Sequence, residues 1–169
     1  FDYLLCEPAR RRPNPQTSLY LYAQNESKDS HNRQTALTSG VTNQVILVSS
    51  TDSLDNPLET GSVLFESAPV VVCKNVYADK KIVVANGAGC TFMRCVGTPT
   101  QLFEADGVRY SVYQAGPELQ IQVCTRSDEV KTLPALSVTP EPDDDADIKR
   151  KRRKTHVFDW PIVPGFART

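Results

Sequence analysis

An all-β fold is what this sequence predicts, an antiparallel sandwich or barrel of about eight short strands carried between extended ends. Three observations lead there. Apolar residues at i, i+3, i+4 and i+7, the mark of an amphipathic helix, form no run of useful length. They recur instead at every second position, most clearly in "VRYSVYQAGPELQIQV". Turn signals built on Gly, Pro, Asn and Asp punctuate the chain at close spacing.

The first stretch, 1–17, stands apart. Its "CEPARRRPNPQ" holds three prolines and three consecutive arginines, which predicts extended backbone and makes Arg10, Arg11 and Arg12 a secondary basic patch. The β domain is set at 18–133. "SLYLYAQ" (18–24) opens it, and the polar "NESKDSHNRQTALTSG" (25–40) reads as a long loop or mobile insertion. "NQVILVSS" (43–50) is the next strand.

Three strand-like runs follow near 69–76, 81–85 and 90–96, punctuated by Ala78-Asp79-Lys80 and by Asn86-Gly87-Ala88-Gly89. The unbroken Val70-Val71-Val72 predicts a strand covered on both faces. "TQLFEADG" (100–107) gives a short strand before a turn. Val108, Tyr110 and Val112 then alternate with polar neighbours, as do Leu119, Ile121 and Val123 beyond Ala115-Gly116-Pro117, so this pair is expected as a hairpin. Pro134, Pro140 and Pro142 end regular structure, which places a domain boundary near 134 and a linker at 134–148.

With 169 residues, 40% apolar and 23% charged, the chain can bury one sizeable core. A net charge of -1 offers no general attraction to nucleic acid or to an anionic membrane, so any such binding rests on a local cluster. Residues 1–140 hold 12 basic and 14 acidic side chains, a net of -2, whereas 141–147 hold five acids and 149–154 six bases without interruption. Five cysteines (Cys6, Cys73, Cys90, Cys95, Cys124) are odd in number and never at two-residue metal spacing, which reads as reduced intracellular thiols, several of them small core residues. No stretch approaches the roughly 18 apolar residues of a membrane span, so a soluble chain without membrane contact is expected. Its opening on Phe1 rather than Met reads as a fragment or processed product.

Enzyme signatures are sparse. The two histidines, His31 and His156, have no apolar-flanked nucleophile beside them, and Glu104 and Asp106 fall at a turn, where solvated acids are the ordinary reading. "NGAGC" (86–90) lacks the Gly-Lys-Ser/Thr ending of a phosphate cradle and lies between strands, so it reads as a hairpin turn. Cys90 and Cys95 have no His nearby to complete a zinc site. Asn25-Glu26-Ser27 fits a glycan acceptor and Thr139-Pro140 an exposed phosphorylation position, both short patterns of high chance frequency. No catalytic residue, cofactor or metal is expected.

The chemistry the sequence does carry lies near its end. Lys149, Arg150, Lys151, Arg152, Arg153 and Lys154 repel one another and favour an extended, solvated form, the form in which an import receptor or a phosphate backbone binds basic runs. The five acids just upstream compete with phosphate at low salt. Downstream, 155–169 is unusually apolar: Phe158, Trp160, Ile162 and Phe166 are candidate partner-binding residues, or else the segment returns to the body as a last strand or anchor. Pro161 and Pro164 restrict it to an edge strand or an extended peptide.

These features point to a non-enzymatic nuclear protein-interaction module, a subunit of a chromatin- or transcription-associated assembly. Its expected partners are another protein subunit and an import receptor, with DNA or RNA contacted through 149–154. The alternative is a viral capsid or other assembly protein whose basic segment contacts nucleic acid.

Overall fold

The structure is a computed structural model that describes residues 20–21, 25–138 and 157–168. In chain order come β1 (Tyr20–Leu21), α1 (Asn25–Leu37), β2 (Asn43–Val48), the single turn α2 (Pro57–Thr60) and β3 (Ser62–Leu64). Next are β4 (Pro69–Val72), β5 (Val76–Ala78), β6 (Lys81–Val84), β7 (Gly89–Val96), β8 (Gln101–Ala105) and β9 (Val108–Gln114). β10 (Gln120–Cys124), β11 (Val130–Pro134), β12 (Leu136–Val138), β13 (Val157–Asp159), β14 (Ile162–Pro164) and β15 (Ala167–Arg168) complete the described chain.

Two sheets dominate: a five-stranded one in the order β11-β10-β7-β4-β14 and a four-stranded one in the order β3-β2-β9-β8. Three two-stranded ladders, β1-β15, β5-β6 and β12-β13, stand beside them. The fold is therefore all-β, of open sheets rather than a closed barrel. Its ladders are antiparallel except β2-β9 and β1-β15.

Alternation explains why these strands form. Val70 and Val72 are fully buried in β4, Ile121 and Val123 in β10, and Ile46 and Val112 in the adjacent β2 and β9. Together with Phe92 they belong to one contiguous core to which both main sheets contribute. Each such side chain contributes about 1.5–3 kcal/mol on leaving water. Val71 is only half-buried, so β4 is fully covered on one face and not on both as its sequence suggested.

Residues 25–37 form a helix, not a loop, although no apolar stripe marks it. Its stability comes from tertiary contacts. Asn32, Thr35 and Ala36 are buried, and the Asn32 amide donates to the Pro164 carbonyl at 3.2 Å. The Gln44 side-chain amide donates to the Ala36 and Val41 carbonyls at 2.9 and 3.1 Å, satisfying acceptors around the helix end. A segment of good tertiary partners overrides weak periodicity.

The pair expected as a hairpin is not one. β9 and β10 are both strands with alternating burial, but they do not pair: β9 lies between β2 and β8, β10 between β7 and β11. Ala115–Pro117 is thus a passage from one sheet to the other. The same holds for the glycine-rich 86–89, where Gly87 has a φ of +92° as its Asn-Gly signal requires, yet joins β6 to β7 of different sheets. Alternation identifies a half-buried strand without naming its neighbour. Tight hairpins do occur at Asp79-Lys80 (φ +50° and +64°) and Asp106-Gly107 (φ +52° and +78°), where both central residues take the left-handed conformation of a type I′ turn.

Candidate functional site

The apolar segment beyond the basic run is built into the body. β14 pairs with β4 in the register Ile162↔Val72, Val163↔Val71, Pro164↔Val70, as the edge strand that its two prolines permit. Gly165 N–H donates to the Pro69 carbonyl at 2.8 Å, and Cys73 N–H to the Pro161 carbonyl at 2.8 Å. Of the four side chains expected to meet a partner, Trp160, Ile162 and Phe166 are 4%, 2% and 1% exposed within the chain's own core, and Phe158 is half-buried. The Phe166 ring sits 5.7 Å from that of Phe65. Trp160, Ile162 and Phe166 fill the chain's own core, where burying so much apolar area stabilises the fold, and Phe158 packs against it.

This arrangement changes the setting of the basic run. β12 and β13 pair antiparallel in the register Leu136↔Asp159, Ser137↔Phe158, Val138↔Val157. β13 is tied further to the body: Ser50 N–H donates to the Phe158 carbonyl at 3.0 Å, and Phe158 N–H to Ser50 Oγ at 2.8 Å. Residues 139–156, which contain the acidic run and Lys149, Arg150, Lys151, Arg152, Arg153 and Lys154, therefore connect two adjacent, anchored strands. These six side chains, Arg10, Arg11 and Arg12, and Thr139, His156 and Cys6 lie outside the described residues.

Other candidates resolve into ordinary structure. His31 belongs to α1 and not to a loop. Glu104 faces Arg109 across the β8–β9 ladder, and Asp106 takes the first central position of that hairpin's turn. Cys73, Cys90, Cys95 and Cys124 are free thiols, of which only Cys90 is fully buried. Burial pushes the thiols of Cys73 and Cys90 up and that of Cys95 up to about 12, which leaves these three protonated and poorly nucleophilic at neutral pH. Among the described residues, no three His, Cys, Asp or Glu side chains are grouped to hold a metal ion.

One feature was not visible in the sequence. The β5–β6 hairpin carries Tyr77 and Ile82 at 59% and 53% exposure. Beside its root, a cleft of about 630 Å³ is lined by Val83, Val84, Ala88, Arg126, Glu129 and Lys131, among others. The turn at Ala78-Asp79-Lys80 was readable, but alternation alone does not tell which end of a hairpin leaves the core.

No family model matches the chain, and no curated protein matches it. Among solved structures, the Pif1 helicase from Candida albicans is similar at 14% identity with a TM-score of 0.49. The alignment covers 94% of this chain and 37% of the helicase chain, so the chain spans little more than a third of that protein's length. At that TM-score the likeness bears on neither fold nor function.

Proposed function

We propose that this chain is a non-enzymatic interaction module of the nucleus, a subunit of a larger chromatin- or transcription-associated assembly, whose basic segment 149–154 binds an import receptor and nucleic-acid phosphates. One observation carries the reading: a run of six consecutive cations lies between two strands that pair with each other, so it leaves and rejoins the body at one place. Holding the ends of a loop together costs little more as the loop lengthens. A basic segment displayed this way is suited to binding in extended form without disturbing the sheets. Like charges six in a row have no folding role of their own, whereas they match a polyanion or an acidic receptor groove.

The test uses the full chain fused to a fluorescent protein in cultured cells, with and without Lys149–Lys154 replaced by glutamine. Nuclear accumulation of the first and its loss in the second are expected. An even distribution of both proteins would sink the import role. For the nucleic-acid role, the logarithm of affinity for a duplex should fall with the logarithm of salt concentration, with a slope of about -0.9 per phosphate neutralised. Binding indifferent to salt would reject it, and large closed particles in light scattering would favour an assembly protein instead.

A further inference from the structure

Trp160 and Phe166 lie in the core, and a separate, exposed apolar pair stands on the β5–β6 hairpin. β5 and β6 form a ladder of their own, apart from both main sheets. At its root Val76 and Val84 face each other, 2% and 5% exposed; towards the tip Tyr77 and Ile82 face each other, 59% and 53% exposed. A cross-strand pair shares one face of a hairpin. Ring and branched aliphatic side chain therefore make a joint apolar patch in water, which differs from the single exposed apolar residues common on any surface.

The hairpin segment itself carries a positive excess. Within 74–84, Lys74 precedes β5, Lys80 sits in the turn and Lys81, paired with Ala78, opens β6, against the single carboxylate of Asp79 in that segment. That is a local positive excess on a body whose first 140 residues carry more acids than bases. Past Ile82, Val83 and Val84 line the neighbouring cleft with Ala88 and with Arg126. Lys131 in the same cleft is engaged by Glu129 at 3.1 Å.

We infer that the β5–β6 hairpin and this cleft form a docking surface for a protein segment that carries apolar anchors among acidic residues. The inference rests on the reading of the chain as a protein-interaction module and gives that reading a site. The lysines and Arg126 set the sign of the partner. The apolar pair sets its class: a single-stranded nucleic acid stacks on an aromatic face, which Tyr77 has and Ile82 lacks, whereas both side chains fit an apolar pocket or stripe. A stable interface between two folded proteins buries about 800 Å² on each partner, more than a hairpin tip offers. An extended or helical segment laid from the tip into the cleft needs less.

The test uses the full chain with Lys149–Lys154 replaced by glutamine, so that acidic peptides have no basic run to bind. A phage library of random dodecapeptides is selected on this protein, and enriched peptides are synthesised with a fluorophore and titrated by anisotropy. The enriched sequences are expected to combine Asp or Glu with aromatic or aliphatic residues. Their binding is expected to weaken about tenfold or more in the double variant Tyr77→Ala/Ile82→Ala and to remain in Tyr77→Phe. Lys80→Glu/Lys81→Glu, which leaves the apolar pair in place, should weaken it similarly, and it keeps the test open if the alanine variant melts early. The inference is overturned if no peptide is enriched, if the enriched peptides lack that composition, or if binding ignores all these substitutions. It is overturned equally if a labelled oligothymidine binds and the same substitutions abolish it. Failure here leaves nuclear accumulation intact, whereas failure of the import test leaves peptide binding intact, so the two readings fall separately.

Discussion

The indole N–H of Trp160 donates to the backbone carbonyl of Tyr113 at 3.2 Å. Trp160 stands between β13 and β14, so it belongs to the segment that edges the five-stranded sheet, whereas Tyr113 lies in β9 of the four-stranded one. One buried side chain thus joins the two sheets by volume and by a directed bond. Trp160→Ala is expected to destabilise the chain by about 3–5 kcal/mol, the usual effect of emptying a core aromatic site. Trp160→Phe keeps most of the volume but leaves the Tyr113 carbonyl without its donor, at about 1–3 kcal/mol. Urea titrations followed by far-UV circular dichroism compare the two, since no other Trp remains to report by fluorescence. Equal losses would show that the bond and not the volume dominates.

Gly61 marks a close approach, not a strained backbone. Its φ of -91° suits any residue. A Cβ there would collide with Ile46 Cγ2, lie 2.8 Å from Val48 Cγ1 and 2.9 Å from the Pro57 carbonyl. Gly61→Ala is expected to cost about 1–3 kcal/mol by overpacking, read as a lower urea midpoint with an unchanged slope. A neutral result would mean that α2 shifts freely over β2.

The β5–β6 turn offers a stabilising change. Asp79 and Lys80 both hold positive φ, a conformation in which Asn and Gly are favoured. Asp79→Asn with Lys80→Gly should stabilise the hairpin by about 0.5–1 kcal/mol, visible as slower amide exchange at Val76 to Val84. Faster exchange there would contradict the assigned turn type.

Alkaline pH should weaken the fold through its thiols. Cys95 is raised by burial to about 12 in the folded chain against an ordinary 9.0. The unfolded chain therefore loses this proton first, and the stabilisation, fully present below about pH 9, declines as pH rises towards 12. The slope is at most about 1.4 kcal/mol per pH unit for each such thiol. Cys95→Ser should flatten this part of the profile, whereas between pH 6 and 8, below both values, Cys95 contributes no slope. Measured unfolding free energies across the range check the sign.

The strands were more legible than their arrangement. Tyr110 and Val112, or Ile121 and Val123, announce half-buried strands by period-two alternation, and each is buried as expected. Nothing in that pattern says that one pair joins β2 in a parallel ladder while the other joins β7, because pairing is decided by distant contacts that fill the core. The helix α1 was illegible for the same reason: Asn32 is buried against the Pro164 carbonyl, a partner 132 positions away that no local window contains. The apolar density of Val157 to Phe166 did signal a segment with a structural purpose, and left open whether its own body or a partner would receive it. Tyr77 and Ile82 looked like any other strand residues, since exposure depends on how far a hairpin projects.

The pairing of β14 with β4 also fixes an order of events. A ribosome releases Val70–Val72 long before Ile162–Pro164, and Asn32 waits for a carbonyl 132 positions downstream. Until that stretch emerges, β4 is a valine-rich strand with an open edge, the kind of surface on which nascent chains associate wrongly. The protein is expected to need chaperone cover late in its synthesis, and translation stalled between the two strands should yield aggregates, not a soluble, partly folded intermediate.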